Sequence, residues 1–384
     1  MISPSRTDWR TIGILIAVSA LAQVGQFGIV FIVLPLWLTE RGLDAAQLGL
    51  FNSMLWLGML PGQFFAPRLS VRFGPHKVAQ AGFCASIAAL MLIPIAGKGL
   101  LLLAAALAGL GLGLRWISLE PWLYRMTPTK IRGRLVGVTE TVIGLSPIIA
   151  PALTGWLGVT TRAPFWLGIG FIACAALLLA GSRVASVEPK TQAVQPPPAS
   201  PGARDRVLIL GVALALTGGV IDAAFNGLFP LFGAGRHFSA GQIAALLSVF
   251  GMGGLLLQYV IGWLSDHRGL NHATLVVAIG TLLMCGLLTL PLAPVVFYSA
   301  MFMLGGCITA YLTLAIVAAT TASSRTLAIN VSRITMTYTA SAACGPLLAG
   351  GMMHALGSDT LMWQMGGMAA LLCLFALGAK RRWA

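Results

Sequence analysis

The chain has 384 residues, 58% hydrophobic and only 9% charged, with a mean hydropathy of +0.89. A water-soluble domain carries roughly a quarter of its residues charged, so a soluble core is excluded and lipid must be the solvent for most side chains. The formal net charge of +14 would suit nucleic acid, but the basic residues fall in loops on one side of the predicted spans, which excludes nucleic acid as a partner and points to anionic lipid headgroups.

At roughly 25–35 residues for a helix and its turn, the chain has room for about a dozen spans. The first is predicted over 11–38 and carries Gln23, Gly25, Gln26 and Gly28 near its middle. Amides at that depth are costly unless they face protein or a wet cavity. The second covers 47–69 and ends in a basic loop holding Arg68, Arg72 and Lys77. The third and fourth cover 78–96 and 99–124, the fourth with the polar stretch from Arg115 to Trp122. A basic loop from Arg125 to Arg134 leads to the fifth span at 135–158 and the sixth at 164–181. Residues 184–206 include Pro196, Pro197 and Pro198; such a segment packs no core and reads as a linker. Six further spans follow at 207–232, 242–264, 273–290, 294–320, 327–356 and 361–379.

The expected fold is therefore an all-α membrane protein of 12 transmembrane helices in two pseudo-symmetric six-helix bundles, 1–183 and 207–384, joined by a linker at 184–206. The excess of Lys and Arg on one side places the linker and both termini in the cytoplasm, in an inner-membrane protein. The opening residues lack a small-residue cleavage site, so the first apolar run is read as a retained span. The six cysteines lie singly inside spans, without metal-ligand spacing, and are read as core packing; no metal or other cofactor is expected. Trp37, Trp263 and Trp383 are read as interfacial anchors.

The two halves repeat. Residues 32–77 align without a gap on 227–272 at a constant offset of 195, the step from Pro35 to Pro230. Arg41 meets Arg236, Gln47 meets Gln242, Gly58 meets Gly253, and Gly74 meets Gly269. The same offset puts Pro151 on Pro346 and Gly155 on Gly350, so the duplication spans whole halves. A duplicated membrane unit is the mark of a secondary transporter.

Two halves of six spans about a linker resemble the major facilitator superfamily. The most specific mark is the loop after the second span of each half. The stretch from Gly262 through Asp266 and Arg268 to Gly269 matches the family pattern, whereas the first copy keeps Arg72, Gly74 and Lys77 but has Val71 where the family has Asp. More loosely the chain is similar to the YcaD-like branch, through Pro35 to Leu38, the acidic residue of span four and Arg132 to Leu135. The resemblance implies alternating-access transport of a small organic solute by a monomer, without enzymatic chemistry. It also implies that Asp266 latches onto the start of span five near Arg132 and Arg134; the alternative is that it only caps its loop. Gly144, Pro147, Pro151 and Gly155 in span five are similar to a degraded form of the pattern in drug-exporting proton antiporters, and with a mostly apolar cavity this favours export over uptake.

Charges within the spans are the candidates for mechanism. Asp222, with Asn226 one turn on, is expected to carry a coupling proton; a structural pair with Asn226 and direct substrate contact are the alternatives. Glu120 is the second proton candidate. Arg115 is read as holding an anionic substrate or fixing a carboxylate, and with Gln23, Gln26, Asn226 and Tyr311 it makes the candidate substrate cavity, because spans one, four, seven and ten line the cavity in the family. Glu120 and Glu140 are expected to pair near the cytoplasmic gate with Arg125, Arg132, Arg134 or Arg333. At the repeat offset Arg115 and Glu120 fall on Ala310 and Ala315, and Asp222 falls on Phe27, so each half carries its own charges. A competing reading, which Val71 allows, is a transporter-like membrane receptor or regulator that binds a ligand without moving it.

Overall fold

The computed structural model describes residues 9–127, 132–182, 203–322 and 327–383, all regular structure among them being helical. In chain order the helices are α1 (Trp9–Thr39), α2 (Ala45–Phe73), α3 (Pro75–Leu92), α4 (Lys98–Met126), α5 (Arg132–Ile143 and Ser146–Leu157) and α6 (Ala163–Gly181). The second series is α7 (Ala203–Gly235), α8 (Ala240–Arg268), α9 (Leu270–Leu288), α10 (Pro294–Ala322), α11 (Leu327–Leu356) and α12 (Thr360–Trp383). Ten of these are long and apolar enough to cross a membrane. The more polar α2 and α11, of 29 and 30 residues, complete the twelve. Most of the proposed linker lies outside the described residues.

Contacts divide the chain into two compact units, Met1–Leu34 with Leu57–Thr191, and Pro35–Trp56 with Gln192–Ala384. The first half of α2 thus packs within the second unit. Inside the first unit α1 packs on α4, α5 and α6, and α3 packs on α4 and α6. Inside the second, α7 packs on α10, α11 and α12, and α9 packs on α10 and α12. These five pairings recur in both halves.

The repeat reaches down to single hydrogen bonds. Ser239 and Gln242 close a reciprocal capping box at the start of α8, with Ser239 N–H donating to Gln242 Oε1 at 2.9 Å and Gln242 N–H to Ser239 Oγ at 3.3 Å. One repeat earlier Gln47 N–H donates to Asp44 Oδ1 at 2.8 Å and Asp44 N–H to Gln47 Oε1 at 3.4 Å. Each box satisfies two helix-terminal donors that the helix itself leaves open. The Arg41 guanidinium lies 3.9 Å from the centre of the Trp37 ring, and that of Arg236 lies 5.2 Å from Phe232. Gly42 and His237, again one repeat apart, both take positive φ, +79° and +61°. Gly74 and Gly269, at +85° and +83°, turn the chain between successive spans in each half.

Close helix crossings repeat as well. A Cβ on Gly58 would overlap the Ala106 carbonyl, and one on Gly253 would overlap that of Phe302. Lipid provides no hydrophobic drive between helices, so association depends on such close backbone approach.

The structure corrects several sequence expectations. Span one is not a uniform α-helix: Val24–Val33 is π-helical between two α-helical pieces. Gly25 and Gly28 let this piece lie close against α6 and α5, because a Cβ there would lie 2.8 Å from Gly168 O and 2.9 Å from Ser146 O. Span five is broken at Gly144–Leu145, where Pro147 follows and cannot donate to the preceding turn. Of the six cysteines only Cys285 is buried, while Cys84, Cys174 and Cys344 are exposed. In lipid an apolar side chain need not be inside to be satisfied. Trp37 is buried rather than at the surface, whereas Trp263 is exposed and stacks on His267 at 4.3 Å; the Trp383 side chain lies outside the described residues.

Gly58→Ala and Gly253→Ala are each expected to destabilise the protein by about 1–3 kcal/mol, since backbone cannot yield as a side chain would. Gly262→Ala, inside α8 where a Cβ meets open space, should not lower the melting temperature in detergent, since Ala favours a helix interior over Gly.

Candidate functional site

In the first unit, α1, α3 and α4 bring four polar side chains together. Arg115 is fully buried. Its Nε donates to Gln26 Oε1 at 2.9 Å and its Nη2 to Gln23 Oε1 at 2.5 Å. Gln26 in turn donates from Nε2 to Ser86 Oγ at 2.7 Å, which fixes the amide with its oxygen toward the guanidinium. Gln23 ends the first α-helical piece of α1 and Gln26 lies in the π-helical one, a local form frequent at functional sites. The sequence placed Arg115, Gln23 and Gln26 in one cavity by analogy between spans; the structure joins them by direct bonds and adds Ser86, which sequence reasoning missed. A serine in an apolar helix gives no signal until its partner is known.

In the second unit Asp222 is half-buried on α7. Asn226 Nδ2 donates to Asp222 Oδ1 at 2.9 Å and to its backbone carbonyl at 3.0 Å. The Tyr338 hydroxyl, from α11, donates to Asp222 Oδ2 at 2.9 Å. Tyr338 also meets the Trp56 ring edge-on, with centroids 6.4 Å apart. Both carboxylate oxygens are therefore held by neutral donors, and no cation pairs with Asp222 among the described residues. The helical spacing predicted the Asn226 contact, but Tyr338 is far away in sequence and was missed.

Three comparisons with known proteins bear on the family and fold. Residues 15–328 match the family model of the Major Facilitator Superfamily. The chain belongs to the Major Facilitator Superfamily. It is 25% identical over 360 residues to an uncharacterized MFS-type transporter of Yersinia pestis (strain Pestoides F), covering 90% of each chain. It is 26% identical over 356 residues to the uncharacterized MFS-type transporter YcaD of Salmonella paratyphi B (strain ATCC BAA-1250 / SPB7), covering 90% of this chain and 89% of that one. Among solved structures, a point mutant of the nucleoside transporter NupG superposes with a TM-score of 0.82 at 12% identity, over 96% of this chain and 99% of that one; at that identity the likeness is one of fold. As a superfamily member the chain is a multi-pass membrane protein and a secondary transporter of a small solute.

The remaining candidates are scattered over this MFS scaffold. Glu120 is half-buried and takes a hydrogen bond from the Trp116 indole. Tyr311 is fully buried, with its hydroxyl donated to Thr281 on α9 at 3.0 Å. Asp266 and Arg268 are exposed in the last turn of α8, and Gly262 faces open space one turn earlier. Arg72 is exposed with its guanidinium 5.1 Å from the Phe73 ring, and Lys77 is exposed in the first turn of α3. Arg132 and Arg134 begin α5, but their side chains lie outside the described residues, as does that of Arg125. Glu140 and Arg333 are exposed on α5 and α11. No group of three or more His, Cys, Asp or Glu placed to hold a metal occurs among the described residues.

Ser86→Ala removes the anchor of Gln26 and is expected to cost about 1 kcal/mol, one neutral hydrogen bond. Gln26→Leu should cost more, about 1–3 kcal/mol, because a guanidinium N–H is left buried without an acceptor. Thermal unfolding in detergent reads both.

Proposed function

We propose that this protein is a proton-coupled exporter of a small organic solute, working by alternating access, with Asp222 as the proton site. The observation that carries the reading is the Asp222 environment: a carboxylate within a membrane span, bonded to Asn226 and Tyr338 and to no cation among the described residues. A salt bridge would commit it to its charged form. Neutral donors do not. A proton on Oδ2 needs only that the Tyr338 hydroxyl rotate from donor to acceptor, which hydroxyls do freely.

Protonation on this reading changes the bond between α7 and α11, so the proton has a direct handle on helix packing. Export is supported by the degraded antiporter pattern of span five, Gly144, Pro147, Pro151 and Gly155; the similar stretch on α11, Gly345-Pro346 followed by Gly350-Gly351, has one residue more between its pairs. The one-sided excess of basic loop residues supports cytoplasmic termini in an inner-membrane protein. Asp266, Arg268, Arg132 and Arg134 remain the proposed latch, and 1–183 and 207–384 the proposed bundles.

The test is transport in proteoliposomes. Wild-type protein should exchange labelled solute in counterflow and accumulate it when a pH gradient is imposed. Asp222→Asn should abolish the gradient-driven accumulation and retain counterflow. Equal loss of both would remove the proton role from Asp222, and saturable binding without any flux would make the chain a receptor.

A further inference from the structure

The polar seam between α1 and α4 holds more hydrogen-bond donors than it satisfies. Arg115 Nη1, Trp122 Nε1 and Ser19 Oγ are all buried and all without a partner among the described residues. Buried polar atoms in a folded protein are nearly always paired, and an exception calls for an explanation. These three are not scattered. At 3.6 residues per turn, Trp122 lies two turns beyond Arg115 and about 20° from it around α4. Ser19, Gln23 and Gln26 stand at i, i+4 and i+7, on one face of α1. As the first and fourth of successive spans, α1 and α4 run in opposite directions. With Arg115 fixed on Gln23 and Gln26, Ser19 on one helix and Trp122 on the other lie on the same side of that contact.

The chemistry of the three groups is one-sided. A guanidinium and an indole donate and have no acceptor, and a serine hydroxyl can donate. The charge of Arg115 is met by two neutral amide oxygens and by no carboxylate in ion-pair contact among the described residues. Glu120 is near enough to interact electrostatically with Arg115, but it lies about 140° around α4 from it, makes no ion-pair contact with it and takes its hydrogen bond from Trp116.

We propose that this seam receives the acid group of the transported solute, which is an organic carboxylate. A carboxylate is acceptor-only, with lone pairs for several donors. It would neutralise Arg115 through Nη1 and accept from Trp122 and Ser19, satisfying every open donor at once, while Gln23 and Gln26 hold the guanidinium in place. An amine would be repelled by the guanidinium and would find only the Ser19 oxygen able to accept. This assignment rests on the transport reading above and specifies the chemical class of the solute.

Thermal stabilisation of the full chain in detergent tests it, with acetate, hexanoate, decanoate and benzoate each set beside its amide and its amine. At least one carboxylate should raise Tm where its amide and amine do not. Arg115→Gln should weaken that carboxylate by about 10- to 100-fold, the worth of a charge-assisted hydrogen bond. Trp122→Phe removes little beyond the indole N–H and should weaken it by about two- to tenfold. Should Arg115→Gln fail to fold, Trp122→Phe and Ser19→Ala decide. No stabilisation by any carboxylate, stronger stabilisation by the amines, or folded variants that bind like wild type would each overturn the assignment. Binding is read here without flux or gradient, so an absence of proton coupling in vesicles would leave it standing.

Discussion

A guanidinium in the middle of a membrane span is tolerable only if protein replaces the water it has lost, and the Arg115 cluster is how this chain meets that constraint. Two glutamines on α1 and a serine on α3 are tied to one arginine on α4. Those bonds fix the rotation of three helices about their axes. The apolar surfaces of the same helices would pack equally well against lipid, so polar contacts and small-residue crossings have to specify the arrangement. The π-helical piece of α1 belongs to the same constraint, since Gln26 lies in it and Gly25 and Gly28 bring it close to α5 and α6.

The second unit solves the converse problem with opposite charge. Asp222 is bound by an amide and a phenol in place of a cation. The two charged centres thus differ in kind. Arg115 is permanently charged, fully buried and partly unsatisfied, as suits a group waiting for an anion. Asp222 is half-buried and satisfied by groups that tolerate either protonation state. Neither has a charged counterpart at the equivalent position of the other half, so the duplication supplied the frame and later divergence supplied the chemistry.

Where the repeat was retained, it was retained for backbone reasons. The capping boxes at Asp44–Gln47 and Ser239–Gln242, the turns at Gly74 and Gly269 and the crossings at Gly58 and Gly253 all serve helix ends and helix approach. Gln47 and Gln242, Gly74 and Gly269, and Gly58 and Gly253 still agree in residue type, because a left-handed φ or a backbone crossing admits few side chains, whereas Asp44 and Ser239 share only the capping role. His237 opposite Gly42 shows the conformation outlasting the glycine.

Length, composition and the offset of 195 residues were enough to indicate twelve spans in two repeated halves, because hydropathy and duplication are properties of the chain itself, and the loop from Gly262 to Gly269 carried the family resemblance. The contact of Asp222 with Asn226 was legible for the same reason, as helical spacing is local. Tertiary structure alone decided the rest. Ser86 and Tyr338 reach their partners across 60 and 116 residues of sequence, and no periodicity encodes such a meeting. It also decided that α5 breaks, that part of α1 is π-helical and that Tyr311 turns to Thr281. Which donors are left open beside Arg115 is fixed only when three helices have chosen their rotations, since an unpaired group is defined by everything that failed to reach it.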